Sequence, residues 1–215
     1  GVTLKAFEGL SLDVSYYDTR TFNQTFDSQL SVSSGYTALY VQTGNVRNRG
    51  VELSLGYEHQ WGIFGWSSNY TFSTNHNEVL ELMENYTHPE TGNVISLDQL
   101  KVGGFSNAAF VLTPGGTLGD LYTTVDLNRD EFGNVYVDKD GNISRNAEIG
   151  YRKLGSVFSK ANMAWNNDFN VGNLNFGFLI SARLGGIVYS ATQARLDNFG
   201  VSEASALARD NGGVM

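Results

Sequence analysis

From Asn173 to Gly186 apolar and polar positions recur with a period of two. Leu174, Phe176, Phe178, Ile180, Ala182 and Leu184 fall on one side of an extended chain; Asn175, Gly177, Leu179, Ser181, Arg183 and Gly185 fall on the other. Side chains alternate across a strand, so one face is apolar and the other mostly small or polar. The apolar row is long enough to cross a bilayer as a tilted strand, which takes roughly 9–11 residues.

The same pattern returns along the chain. Leu10–Phe22 sets Leu10, Leu12, Val14 and Tyr16 against Ser11, Asp13, Ser15 and Tyr17. Val51–His59 sets Val51, Leu53, Leu55 and Tyr57 against Glu52, Ser54, Gly56 and Glu58. Phe64–Asn75 and Lys160–Phe169 behave alike, and Val2, Leu4 and Ala6 read as the end of a preceding strand. This predicts about six strands. Short turns are expected at Phe7–Gly9, Gln60–Ile63 and Asn170–Asn173, and long connections at about 23–45, 76–158 and 186 onward. Strands that alternate apolar-out and polar-in, joined by short turns on one side and long loops on the other, describe a transmembrane β-barrel. A soluble β-sandwich alternates too, and would bury the apolar rows against a second sheet.

Composition narrows the choice. The 215 residues include 25 Gly, 2 Pro and no Cys, and 13% are aromatic. That suits a sheet-rich protein with aromatic girdles, for which Tyr16, Trp61, Trp66, Trp165 and Phe169 are candidates. Without Cys there is no disulfide or thiolate metal site. A formal charge of −8 argues against a nucleic-acid partner. Both ends are expected to continue into a longer protein, because about six strands fall short of the roughly eight of the smallest outer-membrane barrels.

Gly44–Leu55, with Asn48, Gly50, Val51, Glu52 and Leu53 in order, resembles a segment of TonB-dependent outer-membrane receptors. Leu154-Gly155-Ser156, Lys160, the hairpin through Asn173, Gly185-Gly186 and Val188-Tyr189-Ser190 are similar to the SusC/RagA branch, with Val157-Phe158-Ser159 where that branch often has a Pro. The resemblance implies an all-β fold: a fragment of about six antiparallel strands from a plugged barrel of about 22 strands, with long extracellular loops and a short loop helix. Residues 1–215 would be part of one barrel domain, with 76–158 a long extracellular loop region and 186–215 a second loop. The plug and the TonB-contacting segment are expected outside this chain. Implied function is nutrient import, of glycan or peptide, with a SusD-like surface lipoprotein, TonB and the lipid bilayer as partners, in the outer membrane of a Bacteroidota-like Gram-negative cell. A passive porin or adhesin barrel and a carbohydrate-binding β-sandwich are the alternatives.

The candidate chemistry follows from placement. Asp13, Glu52, Glu58, Asn69, Asn166, Asp168 and Arg183 fall at polar positions, which a barrel turns to its lumen. No catalytic set is expected: there is no Gly-x-Ser-x-Gly elbow, and His59, His76 and His88 lack ligand spacing. Asp126, Asn128 and Asp130 resemble the start of a calcium loop, although the Gly and the final acid of that loop are replaced by Glu131 and Val137. Asp-Gly at 140–141 reads first as a hairpin turn. Ser202–Arg209 reads as a short helix with Ser202 as N-cap.

Overall fold

The computed structural model describes residues 1–29, 38–87, 92, 94–105, 107–123, 125–135, 139–140, 145–146 and 150–210. Strands run β1 Val2–Ala6, β2 Leu10–Gln29, β3 Ala38–Trp61, β4 Phe64–Glu81, β5 Tyr86–Thr87, β6 Val94–Ile95, β7 Leu100–Gly104, β8 Ala109–Leu112, β9 Asp120–Thr123, β10 Asp126–Leu127, β11 Arg145–Asn146, β12 Arg152–Ser156, β13 Ala161–Val171 and β14 Leu174–Leu184. The six strands expected from alternation form one antiparallel sheet in the order β1-β2-β3-β4-β13-β14. This wall is not closed, and β1 and β14 are its edges.

Its turns at one end are tight. Gly62 and Gly172 each occupy the first of two central positions with φ +59°, the place a type II′ hairpin turn reserves for Gly. At the other end the strands outrun the sequence reading. β2 continues to Gln29 and β3 already begins at Ala38, so most of the expected loop at 23–45 is a paired ribbon. Pairing between β3 and β4 likewise continues to Glu81, past the boundary at 76. Beyond the apolar band neither face needs a greasy row, so the period-two signal fades while backbone pairing goes on.

The polypeptide from β7 to β12 builds a second, four-stranded sheet in the order β12-β9-β8-β7. In its main core Val79, Leu82, Met83, Leu100 and Leu112 pack together, with Phe26, Leu97, Val102 and Leu118 against them, and Ala109, Val111 and Tyr122 form a second, smaller cluster. Val79 belongs to the polar side of the wall, so the loop sheet folds over that side and leaves the apolar rows uncovered. Val79 N–H donates to Gly116 O and Gly115 N–H to Val79 O, each at 2.8 Å.

After β14 come two helices, α1 Ala191–Asn198 and α2 Glu203–Asp210. α2 is the expected helix, opened by reciprocal bonds between Ser202 and Ser205: Ser205 N–H donates to Ser202 Oγ at 3.2 Å and Ser202 N–H to Ser205 Oγ at 3.1 Å. α1 was not expected. Its N-cap Ser190 accepts from Gln193 N–H at 3.2 Å, and the Ser-x-x-Gln spacing is a capping signal that was there to read.

Candidate functional site

The register sorts the wall into two faces. Residues directly paired across strands share a side, so each ladder rung can be followed from β2 to β14. One rung is Glu58, Ser67, Asp168 and Gly177; the next is Ser11, Gly56, Asn69, Asn166 and Leu179. Above it run Asp13, Ser54, Thr71, Ala164 and Ser181, then Ser15, Glu52, Ser73, Asn162 and Arg183. The seven residues singled out from sequence, Asp13, Glu52, Glu58, Asn69, Asn166, Asp168 and Arg183, therefore lie on one face.

Within that face the polar groups bind one another. Asn166 Nδ2 donates to Asp168 Oδ2 at 2.5 Å, and Ser54 Oγ to Asn69 Oδ1 at 3.4 Å. Thr3 Oγ1 donates to Asp13 Oδ1 at 2.5 Å. Glu58 and Asp168 flank Ser67 with one strand between them, roughly 10 Å apart at the usual strand spacing. With Glu8 they border a hollow of about 730 Å³ at the short-turn end. Glu52 and Glu58 are about 20 Å apart along one strand, too far to act on one bond.

Residues not singled out from sequence tie this face to the loop sheet. Asn77, 6% exposed, donates from Nδ2 to Asn48 Oδ1 at 2.9 Å and accepts at Oδ1 from Leu118 N–H at 2.8 Å. Asn75 Nδ2 also reaches Asn48 Oδ1, at 3.4 Å. Gly50 is flat against its neighbours: a Cβ there would sit 2.2 Å from Thr74 O and 2.5 Å from the Tyr17 hydroxyl. The Gly in the Asn48-x-Gly50 motif is thus a seat for the Tyr17 side chain. Farther out, buried Asp120 pairs with Lys153 and accepts from Thr117 N–H at 3.0 Å and Thr117 Oγ1 at 2.7 Å.

Other motif residues, distant in sequence, meet in space. The Gly185-Gly186 turn brings Ile187 N–H to Ser156 O at 2.9 Å. Gly155 leaves room for the Ile187 side chain, whose Cγ2 would lie 3.1 Å from an added Cβ.

The opposite face is apolar. Its rungs join Leu12, Leu55, Tyr70, Trp165 and Ile180, or Val14, Leu53, Phe72, Met163 and Ala182. Phe176 is 60% exposed and Ile180 56%, so no second sheet buries these rows as a sandwich would. Near the short turns the aromatics form a continuous belt: Trp61 lies 5.8 Å from Phe64, Trp66 stacks on Phe169 at 6.2 Å, and Phe169 on Phe176 at 5.0 Å.

The calcium candidates are engaged in local bonds. Asp126 pairs with Arg152, and its Oδ1 accepts from Leu127 N–H at 2.8 Å. Asp130 closes a turn, accepting from Phe132 N–H at 2.9 Å, Asn134 N–H at 2.8 Å and Asn134 Nδ2 at 3.0 Å. These bonds, the Asn134 side chain first, hold the Asp130 carboxyl below its ordinary range. Asn128 also has an interaction of its own. Among the described residues no group of three or more His, Asp or Glu has a metal-holding arrangement. His88, Val137 and Gly141 lie outside the described residues.

An open antiparallel wall, greasy on one face and polar on the other, with short turns at one end and a folded loop sheet over the polar side at the other, defines a piece of β-barrel. The family model for TonB-dependent receptor-like β-barrels matches residues 1–186, and the chain belongs to that family. A TonB-dependent receptor of Formosa agariphila is 22% identical over 91% of this chain and 21% of its own length. A second receptor of that organism is 24% identical over 88% of this chain and 22% of its own. Among solved structures, the RagAB peptide transporter superposes with a TM-score of 0.57 at 17% identity, over 80% of this chain and 19% of that one. The RagAB peptide importer in its closed-closed state gives 0.60 at 18%, over 86% and 20%. The chain spans about a fifth of the length of the relatives it matches.

Proposed function

We propose that this chain supplies wall and mouth to an outer-membrane importer of the SusC/RagA type, with the apolar face against lipid and the polar face lining the lumen. The observation that carries this reading is the register, which puts every polar candidate on one face and every long apolar row on the other. The long-turn end, where the loop sheet folds over the polar side, is the extracellular mouth; Gly62 and Gly172 mark the periplasmic end. The import step is driven by TonB through parts of the receptor beyond this wall, and a SusD-like lipoprotein closes over the mouth.

The cargo we favour is peptide. The polar face is rich in amides, namely Asn48, Asn69, Asn75, Asn77, Asn162 and Asn166, which match the donors and acceptors of a peptide backbone. Of its aromatics Tyr17 is held against Gly50, and the belt that would stack sugar rings is on the other face. The RagAB neighbours, a peptide transporter and importer, agree with this. Membership of the TonB-dependent receptor-like β-barrel family supports transport rather than catalysis as the task of this wall.

The test is uptake by cells carrying the full-length receptor or lacking it. Loss of growth on an oligopeptide mixture as nitrogen source, restored by the intact gene, is the expected result. Loss of growth on an oligosaccharide alone would replace peptide with glycan, and solute entry that persists without TonB would point to the passive porin.

A further inference from the structure

The apolar face does not fade toward the mouth; it stops. Its last rung is Tyr16, Val51 and Thr74. The next rung on the same side is Asp18, Arg49 and His76, and the one beyond it is Arg20, Arg47 and Glu78. Three guanidiniums thus gather on the outward face of a chain whose formal charge is −8.

Their pairing is incomplete. Arg47 is held by Asp18, with Nε donating to Oδ1 at 2.9 Å. Arg20 stands directly opposite Arg47, and like charges facing each other across strands destabilise a sheet unless an anion lies between them. Arg20 and Arg49 are exposed, and they share the single Asp18 carboxylate with Arg47, all three charges acting on it. Asp18 and Glu78 are the two carboxylates on these rungs, so the patch keeps a positive balance.

Height decides what meets it. A strand tilted by about 45° climbs roughly 2.3 Å per residue, so the two rungs stand about 5 and 9 Å above the last apolar one. The lower rung lies in the headgroup layer, whose thickness is about 5–7 Å on each side of the hydrocarbon, and the upper rung stands just above it, within reach of a long arginine side chain. Guanidinium binds phosphate through paired N–H donors, and its spread over two rungs fits an oxyanion better than a point contact would.

We infer that Arg20, Arg47 and Arg49 form a phosphate-binding patch for a phosphorylated lipid of the outer leaflet, which clasps the receptor wall just above its apolar band. The lipid chains lie along Leu12, Val14, Leu53 and Phe72 while the phosphate sits between Arg20 and Arg49. This inference rests on the membrane orientation proposed above, so insertion is measured separately.

The experiment uses the full-length receptor reconstituted in nanodiscs with lipid A or with phosphatase-treated lipid A, and retained lipid is counted by native mass spectrometry. Heat-modifiable migration on gels reports insertion independently. Wild-type receptor is expected to retain the phosphorylated lipid and not the dephosphorylated one. The Arg20→Gln/Arg49→Gln variant is expected to lose retention roughly tenfold or more, at about 1 kcal/mol per basic group near the surface. Retention independent of lipid phosphate in the wild type overturns the patch whatever the variant does, including a variant that fails to assemble. Equal retention by an inserted variant overturns it too. Displacement of the lipid by millimolar inorganic phosphate, with binding of that ion alone, assigns the arginines to a soluble anion and overturns the lipid. A receptor that does not insert overturns the membrane orientation itself.

Discussion

Trp66 donates its indole N–H to Asn167 Oδ1 at 3.1 Å, and this bond lies on the apolar face of the wall. Asn167 is 1% exposed and directly opposite Ser68, whose Oγ accepts from Trp165 Nε1 at 2.9 Å. Two indoles therefore cap a polar pair in the middle of a greasy surface. The amide Nδ2 of Asn167 has no partner, so the arrangement is only part satisfied and depends on the bond to Trp66. A polar group without a partner costs most where water cannot replace it.

That geometry sets the first expectation. Trp66→Phe strands Asn167 Oδ1 and is expected to destabilise the intact receptor by about 1–3 kcal/mol. Asn167→Leu strands the indole instead. The double variant loses less than the sum of the two, because both polar groups are gone. Denaturant unfolding of the refolded receptor in micelles measures the cycle, and simple additivity would remove the bond from the stability of the wall.

A second expectation concerns the two faces of β14. Phe178→Arg places a charge against lipid and is expected to cost roughly 2–4 kcal/mol and block outer-membrane assembly. Ser181→Arg, three residues on and on the polar face, is expected to assemble. Equal amounts of the two variants in the outer-membrane fraction would refute the assignment of faces.

Gly50 yields the third. An added Cβ meets both the Tyr17 hydroxyl and the backbone carbonyl of Thr74. Gly50→Ala is expected to lower stability by about 1–3 kcal/mol, the range for overpacking. Removing the ring in Gly50→Ala/Tyr17→Ala should not restore it, since Thr74 O cannot move without shifting β4. Full recovery in the double variant would show that the ring alone sets the requirement for Gly.

Asp130 gives a pH dependence. Its carboxyl is held below the ordinary value of 3.8, first by the Asn134 side chain. A depressed folded value means that the turn's contribution is present above the unfolded value and is lost as pH falls through the folded one. Amide exchange at Phe132 and Asn134 is therefore expected to stay slow, relative to unprotected amides, at pH 5 and to accelerate in stronger acid. Asp130→Asn should flatten that response. The same variant tests calcium: an ion at Asp126, Asn128 and Asp130 must take oxygens now used by Arg152 and Asn134, so a calorimetric calcium signal of the intact receptor should vanish in it.

The wall was open to reading because a strand has a period of two and this one divides a greasy side from a polar one. Each apolar row, from Leu10–Tyr16 to Leu174–Leu184, carries its own evidence, and the seven polar candidates followed by simple counting. The reading ran short where that contrast ends. Asp18 and Arg20 fall inside the expected strand Leu10–Phe22 but above its apolar row, while Arg47, Arg49 and the ribbon to Gln29 and Glu81 lack the alternation that separates strand from loop. Asn167 escaped notice for the opposite reason, as a polar residue on the apolar face.

What sequence alone determined is therefore local: strand, turn, face and family motif, each set by neighbours two to four positions away. What only the tertiary structure decided is which distant residues share a rung. Arg20 against Arg47, Asn167 against Ser68, Asn77 against Leu118, and Gly155 beneath Ile187 all depend on inter-strand register and on how the loop sheet settles over Val79. Register is the sum of many backbone bonds and of one buried face, so no single residue announces its partner. The wall could be recognised strand by strand, but its rungs exist only once the strands are aligned.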